Sequence, residues 1–498
     1  MGRRATGAEC IGMSGPKRIG VAGATGYIGG RLIPALLDAG YEVRALARAP
    51  AKLAGRMFAR HPAFSVVAGD VLQRDSLDTA LEGVDAAFYL VHSLGAGSDF
   101  RERDLHAATT FAAACSAAGV ARIVYLSGLG GAGDELSEHL ESRQATGDAL
   151  RTAGVPVTEL RAAVIIGSGS ASFDIMRDLT RRLPAMVAPK WVSSRCEPIA
   201  IDDVVRYLVG CLSEPRTAGE IFEIGGGTVL TYRDMLRVAA EEQHRPFRLF
   251  SVPVLTPKLS SYWLHLVTSV DMQVARPLVE GLRNDVVTHE HRIRELLPGD
   301  LVPYRTAVRK ALNVAAAERD SRWQDARVAR PEGPPRRLRL APRRRVFRDR
   351  QVFETALAAG ELWRRVEANF GGRGGYGSKA EILWRIRGAF DRVLGGAGLR
   401  RGRPAGALAE GDALDWWRVE RIEAGHALCL VAEMLVPGVA RLELEVEPTD
   451  HGSRLIQTAT LQNTRLASGL YWYAVAPFHD WVFRELGAHL IAESRPAA

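Results

Sequence analysis

Residues Lys17–Leu37, KRIGVAGATGYIGGRLIPALL, join an apolar run, three spaced glycines and a second apolar run without interruption. The pattern predicts a short buried strand (Arg18–Ala22), a tight turn through Gly23, Gly26 and Gly29, and a helix that starts inside the turn. A backbone built this way bends without Cβ clashes and approaches a ligand closely. It also aims free N–H groups and the positive end of a helix dipole at one point, which suits a pyrophosphate. The spacing is G-x-x-G-x-x-G, so glycines alone are weak evidence, and a ligand-free strand-to-helix turn is the plain alternative. A second strand at Glu42–Ala47 follows at the distance a βαβ unit requires.

Alternation continues beyond it. Apolar stretches at Phe64–Ala68, Ala86–Val91, Arg122–Ser127 and Val157–Arg161 read as strands, separated by alanine-rich helical segments such as Leu105–Ala118. Short, continuously apolar strands between helices imply a parallel sheet covered on both faces. The fold class expected is α/β, a doubly wound parallel sheet, followed by a smaller α+β domain. A chain of 498 residues is too long for one core and calls for two or three.

GATGYIGG, followed by ALAR at the end of the second strand and GDV at Gly69–Val71, resembles the atypical, NmrA-like branch of the extended short-chain dehydrogenases/reductases. The resemblance implies a dinucleotide held by Gly23, Ala24, Thr25, Gly26, Tyr27, Ile28 and Gly29. It implies adenine contacts at Asp70 and Val71, and a segment from Leu90 to Ser93, including His92, over the adenine ribose. Choice between NAD and NADP rests on the residue after the second strand, where an acid holds a 2′-hydroxyl and an arginine pairs with a 2′-phosphate. Arg48 stands there with Lys52 nearby, and no acid occurs between Glu42 and His61, so NADP(H) is expected ahead of NAD(H). A solvated surface arginine is the alternative.

The chemistry end departs from the family. Y-x-x-x-K on a helix is the usual proton donor and ribose-holding pair, and four-residue spacing puts both side chains on one face. Here the matching stretch, SEHLESRQATGDAL, offers His139 and Arg143. Ser127 matches the family serine that orients a substrate carbonyl. Histidine donates protons near neutral pH, whereas arginine holds hydroxyls but does not exchange protons. A surface histidine and an ordinary helix arginine are the competing reading. LRAAVIIG from Leu160, EPIAIDD from Glu197 and EIFEIGGGTVLTYR from Glu220 resemble substrate-side segments of the same family, extending this half to about Ala317. The aromatic, apolar stretch Val252–Val270 is expected to form a lid, a substrate wall or buried packing.

The formal charge of +8 is local. Arg330–Arg350 carries nine arginines against Glu332 and Asp349, with four prolines, which accounts for +7 of it. Residues 318–350 therefore read as an extended interdomain linker rather than a specific nucleic-acid surface, with peripheral contact to anionic lipid as a further possibility. Limited trypsin digestion is expected to cut first between Arg330 and Arg350; early cuts elsewhere with this stretch intact would contradict the linker. Residues 1–16 read as a loose tail with no secretory h-region, and no run of 18 apolar residues suggests a membrane span. Five scattered cysteines without C-x-x-C spacing imply reduced thiols, a cytoplasmic setting and no metal site.

After the linker, Gln351–Asp391 has a helical pattern. LDWWRVERIE, ALCLVAEML, ARLELEVEP and LIQTATLQN then read as strands, with a final helix at Phe478–Glu493. Together with FGGRGGY, LWRIRG and YWYAVAPFH these segments resemble the bacterial domain of unknown function 2867, implying a START-type, helix-grip-like domain over residues 351–495. Trp416, Trp417, Tyr471, Trp472 and Tyr473 are candidates to line a cavity there, or to be plain core. Three functions follow: an NADPH-dependent oxidoreductase acting on an apolar small molecule such as a quinone or lipid; a non-catalytic dinucleotide sensor or assembly factor, as in NmrA-like regulators and the accessory NADPH-binding subunit of complex I; or a lipid or quinone carrier.

Overall fold

The structure is a computed structural model. It describes residues 17–54, 56–92, 100–130, 138–188, 190–251, 281, 284–314, 346–371, 381–393, 403–404, 407–434, 436, 438–462 and 480–492. The expected lid at Val252–Val270, most of the linker, Tyr471, Trp472 and Tyr473 lie outside the described residues.

In the first half the chain runs β1 (Arg18–Ala22), α1 (Tyr27–Asp38), β2 (Glu42–Ala47), α2 (Ala51–Ala54) and β3 (Phe64–Ala68). It continues through α3 (Arg74–Leu81), β4 (Ala86–Tyr89), α4 (Phe100–Ala117), β5 (Arg122–Gly128), α5 (Glu138–Arg151) and β6 (Val157–Ala162). With the strand Ile221–Ile224 these form a seven-stranded sheet ordered Ile221–Ile224, β6, β5, β4, β1, β2, β3. Every neighbouring pair in it is parallel. Alternate residues of β1 serve opposite faces. Ile19 and Val21 pack with Leu32, Ile33 and Leu36 of α1 and with Tyr207 and Leu208 on one side, while Ala22 joins Leu77, Phe111 and Leu150 on the other. The chain builds β1 to β3 outward, then returns across β1 to add β4. That reversal leaves a crevice at the carboxyl ends of β1 and β4, where doubly wound sheets bind ligands.

Further segments of this half form smaller pairings. Ile165–Ile166 pairs in parallel with Ile199–Ala200. The Glu197 carboxylate takes the backbone N–H of Gly227 at 2.9 Å and that of Thr288 at 3.2 Å, and pairs with Arg294 at 2.9 Å. Three of the four described cysteines are buried, and burial pushes the Cys196 and Cys211 thiols up to about 12, so both are inert as thiolates.

The second half is a six-stranded antiparallel sheet. Its first strand is Val346–Thr355, so the last five residues of the expected linker and the first five of the expected helical stretch are strand. Helices Ala359–Asn369 and Glu381–Val393 follow. Residues 480–491 form the terminal helix, whose Val482, Phe483, Leu486 and Leu490 join the sheet's core. Trp416 is fully buried with its ring 5.1 Å from that of Trp384, and Trp417 is 3 % exposed, so both are core side chains.

Candidate functional site

The crevice holds a cavity of about 280 Å³. One wall is the glycine turn. Gly23 has φ +89°, and a Cβ on it would stand 2.7 Å from the carbonyl carbon of Leu90, the residue after β4. A Cβ on Gly29 would stand 2.4 Å from the Gly23 oxygen and 2.8 Å from Ala24 Cα. Both contacts are with backbone, which has no rotamer to retreat into. The turn therefore closes only with hydrogen at these positions, and the closure brings the start of α1 to the cavity. Gly26, the residue before α1, caps nothing with a side chain, and the first turn carries no acid. The positive end of the helix is thus left for a ligand's negative charge.

Around this wall stand Thr25, Tyr27 and Ile28 from the turn and α1, Arg48 after β2, Asp70 and Val71 after β3, Leu90 and His92 after β4, and Arg143 from α5. Ala24 is fully buried and contributes to the core instead, and Lys52, a turn further along on α2, stands outside the cavity wall. Asp70 shapes its own loop, its Oδ1 accepting the Leu72 N–H at 3.0 Å. Ser127 is 2 % exposed at the end of β5 and also outside the wall. His139 lies on α5, four residues before Arg143, with its side chain outside the described residues.

Arg143 reaches the cavity from α5 with Nη2 3.4 Å from the Leu126 carbonyl, while its Nε is buried with no hydrogen-bond partner among the described residues. Its backbone carbonyl accepts the Tyr125 hydroxyl at 3.0 Å. Two residues on α4 escaped the sequence reading. Arg103 lines the cavity as a third cation. Asp104, 3 % exposed, holds His92, with Nδ1 of the ring 2.9 Å from Oδ2. Burial pushes the His92 imidazole below its ordinary pKa and Arg143 pushes the same way, against the raising effect of Asp104. Asp104 in turn, after burial, helps raise the hydroxyl of Tyr89. The only sequence signal for Asp104 is its place in RERD, a charged opening to an otherwise alanine-rich helix.

A cradle closed to any Cβ, an uncompensated helix N-terminus and three arginines fit a dinucleotide diphosphate. Among the described residues no group of three His, Cys, Asp or Glu side chains is placed to hold a metal ion. Nor is any described helix long and apolar enough to cross a membrane.

Comparison with known proteins finds a family model in each half of the chain. A family model described as NAD(P)H-binding matches residues 23–174, and that of a protein of unknown function (DUF2867) matches residues 341–486. The (4-alkanoyl-5-oxo-2,5-dihydrofuran-3-yl)methyl phosphate reductase of Streptomyces griseus is 30% identical over 236 residues, 46% of this chain and 74% of its own. The ceramide reductase of Caulobacter vibrioides is 28% identical over 292 residues, 57% of this chain and 86% of its own. Among solved structures, the triphenylmethane reductase of Citrobacter sp. complexed with NADP(H) superposes with a TM-score of 0.48 at 19% identity, over 59% of this chain and 99% of its own.

Proposed function

The chain belongs to the NAD(P)H-binding, NmrA-like reductase family in the form that carries a DUF2867 domain, and from that premise we propose that it is an NADPH-dependent reductase of an apolar, lipid-like carbonyl compound. The observation that carries the reading is the cavity wall, a glycine turn faced by Arg48, Arg103 and Arg143. The lipid-like substrate class is supported by the relative named for ceramide; the other is named for an alkanoyl-bearing phosphate ester.

Bound NADPH supplies a hydride to the carbonyl carbon. The chain's residues bind, orient and protonate. The turn and α1 take the pyrophosphate, Arg48 takes the 2′-phosphate, and Arg143 donates to hydroxyls of the ribose next to the nicotinamide. His139 is the proposed donor of the proton that reaches the carbonyl oxygen, making the product an alcohol.

Arg48 gives the first test. A charge-assisted contact contributes about 1.5–3 kcal/mol, which corresponds to roughly tenfold or more in affinity. Calorimetric titration should show NADPH bound at least about tenfold more tightly than NADH, and Arg48→Ala should bring the two together. Equal affinities in the natural chain would remove the NADPH assignment. Turnover is tested by following NADPH oxidation with a panel of long-chain ketones, aldehydes and quinones. A chain that binds NADPH and oxidises it with none of these is a dinucleotide sensor instead.

A further inference from the structure

We propose that Arg103 clamps the diphosphate of the dinucleotide from the sheet face opposite the glycine turn. The proposal rests on the reading that the cavity holds NADP(H), and it gives a role to the cavity arginine which that reading leaves unassigned.

The layers of the fold place this side chain. α1, which starts from the glycine turn, packs on one face of the sheet through Leu32, Ile33 and Leu36. α3, α4 and α5 pack on the other through Leu77, Phe111 and Leu150. Of these three, α4 is the middle one, packed against both α3 and α5. α3 follows β3, on the Arg48 and Asp70 side of the turn, whereas α5 follows β5 and carries Arg143. A dinucleotide crossing the switch point puts its nucleoside halves on opposite sides of β1, with the diphosphate between them. The middle of the cofactor therefore meets the middle helix. α4 begins at Phe100, so Arg103 stands in its first turn, after the carboxyl end of β4. Ala107, one turn on, lines the same cavity, so this side of α4 is turned toward it.

Charge agrees with the placement. Arg103 is half-buried at the cavity wall and, among the described residues, makes no hydrogen bond and no ion pair. Its neighbours on α4 are engaged: Arg101 pairs with Glu141 of α5 at 3.7 Å, and Asp104 holds His92 at 2.9 Å. Asp70, the acid of the wall, stands on the adenosine side and accepts the Leu72 N–H. A guanidinium drawn partly out of water without a counter-ion is a receptor for an anion. The turn and α1 offer the diphosphate neutral N–H groups and about half a positive charge at the helix end. Arg103 adds a full charge and a planar fork of donors, which fits two phosphate oxygens at once.

The experiment uses the full chain and compares NADPH, NADH and ADP-ribose by calorimetry. ADP-ribose has the diphosphate but neither the 2′-phosphate nor the nicotinamide. Arg103→Gln should weaken all three by a common factor of about tenfold or more, the effect of one charge-assisted bond, and leave the ratio of NADPH to NADH affinity as it is. Arg48→Ala should do the reverse, collapsing that ratio with ADP-ribose binding unchanged. Arg103→Lys keeps the charge without the fork and should recover part of the loss. Thermal unfolding of the unliganded Arg103→Gln chain should match that of the natural chain, since no hydrogen bond or ion pair among the described residues is removed. Unchanged ADP-ribose affinity in Arg103→Gln, or a loss confined to NADPH, would overturn the clamp. A natural chain that binds none of the three would instead overturn the cofactor reading beneath it.

Discussion

Replacing Gly29 with valine should abolish measurable NADPH binding, the largest effect expected of any single substitution at this site. Its Cβ would fall 2.4 Å from the Gly23 oxygen and 2.8 Å from Ala24 Cα, so the turn has to open. Opening it moves the first N–H groups of α1 off the phosphates. Loss of two charged hydrogen bonds at about 1.5–3 kcal/mol each amounts to roughly a hundredfold to ten-thousandfold in affinity. Gly40→Ala is the control. Gly40 has a positive φ, +86°, and nothing lies within 4 Å of the added Cβ. It should cost about 1 kcal/mol of stability and leave affinity unchanged. Calorimetry reads the affinities, and thermal unfolding separates a lost site from a lost fold.

His139→Phe should reduce turnover by about 10²–10⁴-fold, the usual contribution of a general acid, with NADPH affinity preserved. Arg143→Ala should do the reverse, weakening NADPH binding before it touches the chemical step. In the natural chain the rate should fall as pH rises through the pKa of the donor, since only the imidazolium has this proton to give readily. Near-normal turnover by His139→Phe eliminates this donor. The measurement is single-turnover oxidation of bound NADPH, which keeps binding out of the rate.

Six of the seven strands of the nucleotide-binding sheet were legible because each is a short apolar run between helices; the seventh, Ile221–Ile224, lies in a stretch read only as a substrate-side segment. Arg18–Ala22, Glu42–Ala47 and Phe64–Ala68 fall where the pattern puts them. The fourth strand was expected through Val91 but ends at Tyr89, because the chain leaves the sheet there to pack the Leu90 carbonyl against Gly23. Apolarity alone carries no sign of that turn. α4 begins at Phe100, five residues before the expected Leu105, since the charges of RERD break the apolar pattern and look like a solvated loop. Asp104 was lost there. Its partner is twelve residues away, and a pair drawn from two different elements has no fixed spacing to recognise. The strand Val346–Thr355 was missed for a different reason: its opening, VFRDRQ, shows no alternation of apolar and polar residues, and the arginine-proline run before it has the composition of a linker.

Hydrogen exchange with and without NADPH tests the central claim, that the crevice at the reversal of the sheet is the dinucleotide site. On saturation the account predicts slowed exchange in amides of residues 23–30, 46–48, 69–72 and 90–92, the four segments that meet at the cavity wall. Protection confined to residues 346–492, or no protection at a concentration that saturates binding, would contradict it.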